Sequence, residues 1–95
     1  MKKYALLAEP GEEPFLWLQM LEEPRHSFLV LPPSAVLPNY APDLSDEDVA
    51  FLGLRSPGDA VVLNIVTLRS NGSSSVNLKG PIIFNRRTLV GKQVI

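Results

Sequence analysis

The chain has 95 residues, 45% of them hydrophobic and 20% charged, with no cysteine and a net charge of −1. That length allows one domain, which buries roughly 60–70% of the surface its unfolded chain exposes. The missing cysteines exclude a disulfide framework, a thiolate zinc site and a cysteine nucleophile, and no apolar stretch approaches the ~18 residues of a membrane span.

Met1-Lys2-Lys3 leads into Tyr4-Ala5-Leu6-Leu7-Ala8, a short apolar run stopped by the turn signal Glu9-Pro10-Gly11. The run is too short for the apolar region of a secretory signal. A soluble, cytoplasmic chain that associates with no membrane is the expectation. Phe15-Leu16-Trp17-Leu18-Gln19-Met20-Leu21 is apolar at nearly every position. It reads as a strand buried on both faces or a barrel strand, bounded by Pro14 and Pro24, with Trp17 in the core. After a loop of hairpin length, Glu22-Glu23-Pro24-Arg25-His26, comes Ser27-Phe28-Leu29-Val30-Leu31, and the two strands are expected to pair antiparallel.

Four prolines between Pro32 and Pro42 remove too many backbone donors for a ladder strand, so this segment is read as an irregular crossing. Next, Ser45 is placed to cap the amides two or three residues on. Asp46, Glu47 and Asp48 sit where a helix dipole favours negative charge. One or two helical turns are predicted, ending before Gly53 or Arg55, then a turn at Ser56-Pro57-Gly58-Asp59.

Ala60-Val61-Val62-Leu63-Asn64-Ile65-Val66-Thr67-Leu68 is the strongest strand in the chain, being rich in β-branched residues. Asn71-Gly72-Ser73-Ser74-Ser75 reads as a hairpin loop, Val76–Leu78 and Pro81–Asn85 as strand fragments, and Thr88–Ile95 as a last strand. Six or seven short strands with one short helix near residues 45–53 predict an all-β domain of barrel or sandwich type.

Candidate chemistry is sparse. His26, the single histidine, reads as a surface loop residue. Glu12-Glu13 and Glu22-Glu23 read as solvated neighbours in turns, because paired carboxylates do acid–base work only when their environments split their pKa values. The six glycines are scattered singly, and none forms a phosphate loop. No catalytic residue, cofactor or metal site is expected. Charge is more informative. Residues 1–59 hold all ten acids against four bases, a net of −6, while residues 60–95 hold five bases and no acid. Either the molecule has an acidic and a basic face, or the halves interleave and cancel locally. The basic half leaves one alternative function open, a small β-barrel binding single-stranded nucleic acid through Lys79, Arg86, Arg87 and Lys92 beside Phe84. Five bases and a pI of 5.7 are a sparse footprint for that role.

Several motifs in order carry a resemblance. Phe15-Leu16-Trp17-Leu18-Gln19 with Pro24, Phe28 and Val30 is similar to an F-x-W-L-Q-x-x-x-x-P-x-x-x-F-x-V stretch. Asn77-Leu78 with Pro81-Ile82 and Asn85 is similar to a strand pair that opens on N-L and continues through P-I to N. Gly91-Lys92-Gln93-Val94 is similar to a G-x-Q-V ending. Together with the Pro32–Asp43 crossing and Leu63–Thr67, these resemble the flagellar assembly factor FliW family over residues 4–95. The resemblance implies a small antiparallel or mixed β-barrel, open or pseudo-barrel, in one domain over residues 1–95. It also implies a short member lacking the family's N-terminal β-segment and C-terminal tail. Missing outer strands would leave an open sheet edge, an invitation to homodimerise. As function it implies a non-enzymatic regulator that sequesters the translational repressor CsrA and also binds flagellin, with no direct nucleic-acid binding. The acidic half suits a basic partner such as CsrA. Asp43, Asp46, Glu47 and Asp48 are the expected contact residues, with Tyr40 and Phe51 as apolar anchors.

Overall fold

A computed structural model of the chain describes residues 3–22, 26–33 and 42–95. Seven strands form one sheet: β1 (Tyr4–Leu7), β2 (Leu16–Met20), β3 (Ser27–Leu31), β4 (Ala60–Leu68), β5 (Ser74–Val76), β6 (Ile82–Asn85) and β7 (Gly91–Gln93). The order across the sheet is β1-β2-β3-β4-β6-β7, and β5 also pairs with β4. Every pairing is antiparallel. The sheet curls into a half-barrel with one short helix, α1 (Asp46–Leu52), so the open-barrel, all-β expectation holds.

Local chemistry accounts for the helix. The Ser45 hydroxyl accepts a hydrogen bond from the Asp48 amide at 3.1 Å, and three acids fill the first turn. Gly53 ends the helix in the left-handed region at φ +66°, where a side chain would be strained. The nine residues of β4 are the longest strand and the hub of the sheet, pairing with β3, β5 and β6.

Three segments are shorter than the sequence suggests, each because an asparagine side chain competes for backbone donors. Asn71 Oδ1 accepts from both the amide and the hydroxyl of Ser73, which tightens the hairpin so that β5 already begins at Ser74. Asn77 Oδ1 accepts from the Lys79 and Gly80 amides, which stops β5 at Val76. Asn85 Oδ1 accepts from the Arg87 and Thr88 amides and turns the chain over, so the last strand is only Gly91–Gln93. In that hairpin Gly91 lies against Phe84. A Cβ there would stand 2.8 Å from the Phe84 Cβ and 3.0 Å from the Ile83 carbonyl oxygen, so the close approach requires glycine.

The core lies at the β4–β6–β7 end, where Leu52 of α1 packs on Ile83 and Val94 with Leu44, Leu54, Ala60 and Val62 around them. Met20, Val30, Leu31, Leu63 and Val66 are buried along the middle of the sheet. Asn64 and Asn85 are the buried polar residues among those described.

Of the two readings of β2, a strand of an open barrel holds, and burial on both faces needs correction. The registers align two cross-strand rows, Leu6–Leu18–Phe28 on one face and Leu7–Trp17–Leu29 on the other. Both rows stay partly open, with Leu6 at 42%, Leu7 at 46% and Phe28 at 39% exposure. Trp17 is half-buried rather than in the core. The physical reason is placement: the helix packs against the far end of the sheet, on β6 and the residues around β7.

Candidate partner-binding surface

The acidic cluster is divided by the fold. Asp43, Asp46 and Glu47 are exposed. Asp48 points inward and accepts a 2.7 Å hydrogen bond from Lys92 Nζ on β7. The same ammonium lies 5.5 Å from the centre of the Phe51 ring, which is 56% exposed. The helix therefore offers two exposed carboxylates, Asp46 and Glu47, and an exposed aromatic ring, with its third acid used as a clip to the sheet and Asp43 exposed just before it. Tyr40 lies outside the described residues.

Asn85 holds the other end of the helix. Its Nδ2 donates to the carbonyls of Leu52 at 2.9 Å and Gly53 at 3.2 Å. These are C-terminal carbonyls that a helix cannot satisfy internally. The acidic face is thus set on the sheet from both ends of α1.

Among the described residues, two ion pairs cross from the acidic half of the sequence to the basic half: Asp48 with Lys92, and Asp59 with Arg87 at 3.6 Å. The halves interleave at these points. Arg86 Nε donates to the Gly58 carbonyl. Three of the four cations considered for phosphate binding, Arg86, Arg87 and Lys92, are therefore committed within the fold. Lys79 is exposed. His26 is an exposed loop residue whose carbonyl accepts from the Met20 amide.

Both paired aspartates are pulled below the ordinary carboxylate value of 3.8. For Asp48 the main cause is the hydrogen bond from Lys92, helped by Ser45 and opposed by partial burial. For Asp59 it is the hydrogen bond from the Arg55 amide, followed among the lowering causes by the charge of Arg87. A carboxylate with a depressed folded-state pKa adds stability that is complete above its unfolded value and lost as pH falls through the folded value. The thermal midpoint is therefore expected to hold from neutral pH to about pH 5 and to fall below about pH 4. Asp48→Asn with Asp59→Asn should flatten that acid limb in a pH series of melting curves. An unchanged limb would show that neither pair contributes.

A second surface was not foreseen from the sequence. Phe15, Trp17, Leu29 and Leu68 line an open groove of about 280 Å³, rimmed by Gly11, Glu12 and Glu13. Leu68 is 67% exposed. Trp17 Nε1 donates to Glu12 Oε1 at 3.2 Å, so Glu12 has a partner and is not merely solvated. The available signal was the mismatch between a wholly apolar strand and the scarcity of elements to cover it. Among the described residues no group of three or more His, Asp or Glu is placed to hold a metal ion. No described helix is long and apolar enough to cross a membrane.

A curled half-barrel with an acid-tipped helix at one end and an open apolar groove near the other defines a small β-domain whose distinctive features are exposed surfaces. Comparison with known proteins gives that class a family. The family described as FliW protein matches residues 1–95. The flagellar assembly factor FliW of Leptospira interrogans is 38% identical over 96 residues, covering 99% of this chain and 64% of that protein. The one from Leptospira biflexa is 39% identical over 95 residues, covering 98% and 62%. A crystal structure of the flagellar assembly factor FliW superposes with a TM-score of 0.88 at 31% identity, covering 97% of this chain and 64% of that one. The chain belongs to the FliW family. It spans under two thirds of the length of these curated relatives.

Proposed function

We propose that this chain is a single-domain, non-catalytic regulator of flagellin synthesis and flagellum assembly, which binds and sequesters CsrA and binds flagellin. The observation that carries this reading is the exposure of Asp43, Asp46, Glu47 and Phe51 at and just before α1, displayed on a family-matched scaffold. CsrA binds RNA with basic surfaces. An acidic face speeds encounter with such a surface, and one desolvated aromatic ring supplies an anchor. Sequestration then needs no chemistry, because a repressor held by this chain is unavailable to mRNA in proportion to the affinity. An amphipathic helix of flagellin suits the groove of Phe15, Trp17, Leu29 and Leu68, which has an apolar floor and an acidic rim. When flagellin occupies the regulator, CsrA is released.

Calorimetric titration of the 95-residue chain into CsrA tests the reading directly. The triple variant Asp43→Lys, Asp46→Lys and Glu47→Lys is expected to weaken binding by roughly tenfold or more. Asp48 is left in place because it anchors Lys92. No binding by the folded wild-type chain would overturn the function. Unchanged binding by a folded triple variant would move the site elsewhere.

A further inference from the structure

The hairpin between β4 and β5 turns at Asn71-Gly72, and of the five asparagines in the chain only Asn71 is followed by glycine. Asn71, Gly72 and Ser73 are all exposed. Gly72 takes φ +85° and has nothing within 4 Å of where a Cβ would stand, so the space beside its amide nitrogen is open. The side-chain amide of Asn71 is held at one end only. Its Oδ1 accepts from the Ser73 hydroxyl at 2.7 Å and from the Ser73 amide at 3.0 Å, while its Nδ2 has no partner among the described residues. Two donors on the oxygen and a free amino group favour loss of ammonia, because the donors stabilise negative charge as it develops on Oδ1. The other asparagines lack this setting. Asn64 and Asn85 are buried, and Asn39 and Asn77 precede the bulky Tyr40 and Leu78.

We propose that Asn71 is a modification site, at which the chain converts its own asparagine to isoaspartate and aspartate through a succinimide. The Gly72 amide, bonded in the turn to the Arg69 carbonyl at 3.1 Å, leaves that bond and gives its proton to hydroxide. Its nitrogen then attacks Asn71 Cγ. The new N–Cγ bond closes the ring, the Cγ–Nδ2 bond breaks, and ammonia departs with a proton from water, which regenerates the hydroxide. Water next opens the ring. Addition at Cγ gives aspartate, and addition at the main-chain carbonyl of residue 71 gives isoaspartate, whose backbone runs through Cβ and Cγ. One water is consumed and one ammonia released, with no change of oxidation state. The product gives residues 60–95, which hold five bases and no acid, their first negative charge. That charge stands three residues beyond Leu68, the exposed edge of the apolar groove. Isoaspartate also lengthens the main chain by one carbon beside the Leu68–Ser74 pair that closes the hairpin.

Incubation of the 95-residue chain in warm neutral buffer is expected to build up an acidic species, a single charge below the starting protein in isoelectric focusing. Peptide mass spectrometry should place the change at Asn71, with isoaspartate the larger product. Asn71→Gln is expected to remove that species, since glutamine closes a larger ring far more slowly. Ser73→Ala deletes the shorter of the two bonds to Oδ1 and should slow conversion by roughly two- to tenfold, the value of one exposed hydrogen bond. The chain unfolded in denaturant serves as the clock. No acid at Asn71 in the time the unfolded chain converts completely would overturn the proposal, as would conversion that falls first on another asparagine. A rate for Ser73→Ala equal to or above that of the unaltered chain would overturn the part given to Ser73.

Discussion

Asn85→Ala is expected to lower the stability of this domain by about 2–4 kcal/mol, seen as a melting temperature reduced by roughly 10–25 °C. The residue is fully buried and makes four hydrogen bonds, two donated to the carbonyls ending α1 and two accepted from the amides of the β6–β7 turn. Alanine leaves those carbonyls and amides without their partner, and at the buried Leu52 carbonyl the desolvation of the orphaned group outweighs the mean value of a hydrogen bond. Asn64 is the internal comparison. It is equally buried but donates one bond, to the Asn77 carbonyl at 2.9 Å, and its Oδ1 has no partner among the described residues. Its removal should cost less. Equal losses at the two sites would mean that filling volume, not hydrogen bonding, sets the value of Asn85.

Leu52→Ala should cost about 2–5 kcal/mol, read as a lower denaturant midpoint with an unchanged slope. Leu52 is 1% exposed and is the one fully buried side chain of α1, in contact with Ile83 and Val94. Three side-chain carbons removed there leave a cavity walled by a sheet that cannot close over it. Ile83→Val, which removes one methyl group from the same cluster, should cost about 0.5–1.5 kcal/mol. Asn85→Ala combined with Leu52→Ala should cost less than the two added together, because either change alone already loosens the helix from the sheet. A cost at Leu52 near zero would show that α1 is held by its polar ties alone.

The elements legible in the sequence are those whose signals are local. Ser45 followed by three acids and closed by Gly53 contains both ends of a helix within nine residues. The β-branched run from Ala60 to Leu68 identifies a strand without reference to any neighbour. Asn85 was not legible, because the helix carbonyls it satisfies lie 32 and 33 residues away and its bonds to the Arg87 and Thr88 amides are those of an ordinary turn. The same holds for Asp48. Its position predicted a place at the helix start, but a partner 44 residues on decides that it is a clip and not a free contact. The groove at Trp17 was missed for another reason. An apolar strand states how much burial it could use, and only the packing of other elements states how much it receives.

The ties between α1 and the distal strands also set an order of events. A seven-residue helix is far below the ~12–15 residues at which an isolated helix becomes even marginal in water. Its fully buried contacts and its side-chain ties to the sheet come from Ile83, Asn85, Lys92 and Val94, all within residues 83–94. During synthesis the carboxylates of Asp43, Asp46 and Glu47 leave the ribosome long before the residues that fix them in place. The charge is present early, and the surface forms late. A partner that needs the arranged surface therefore finds it only after residues 83–94 have joined the fold.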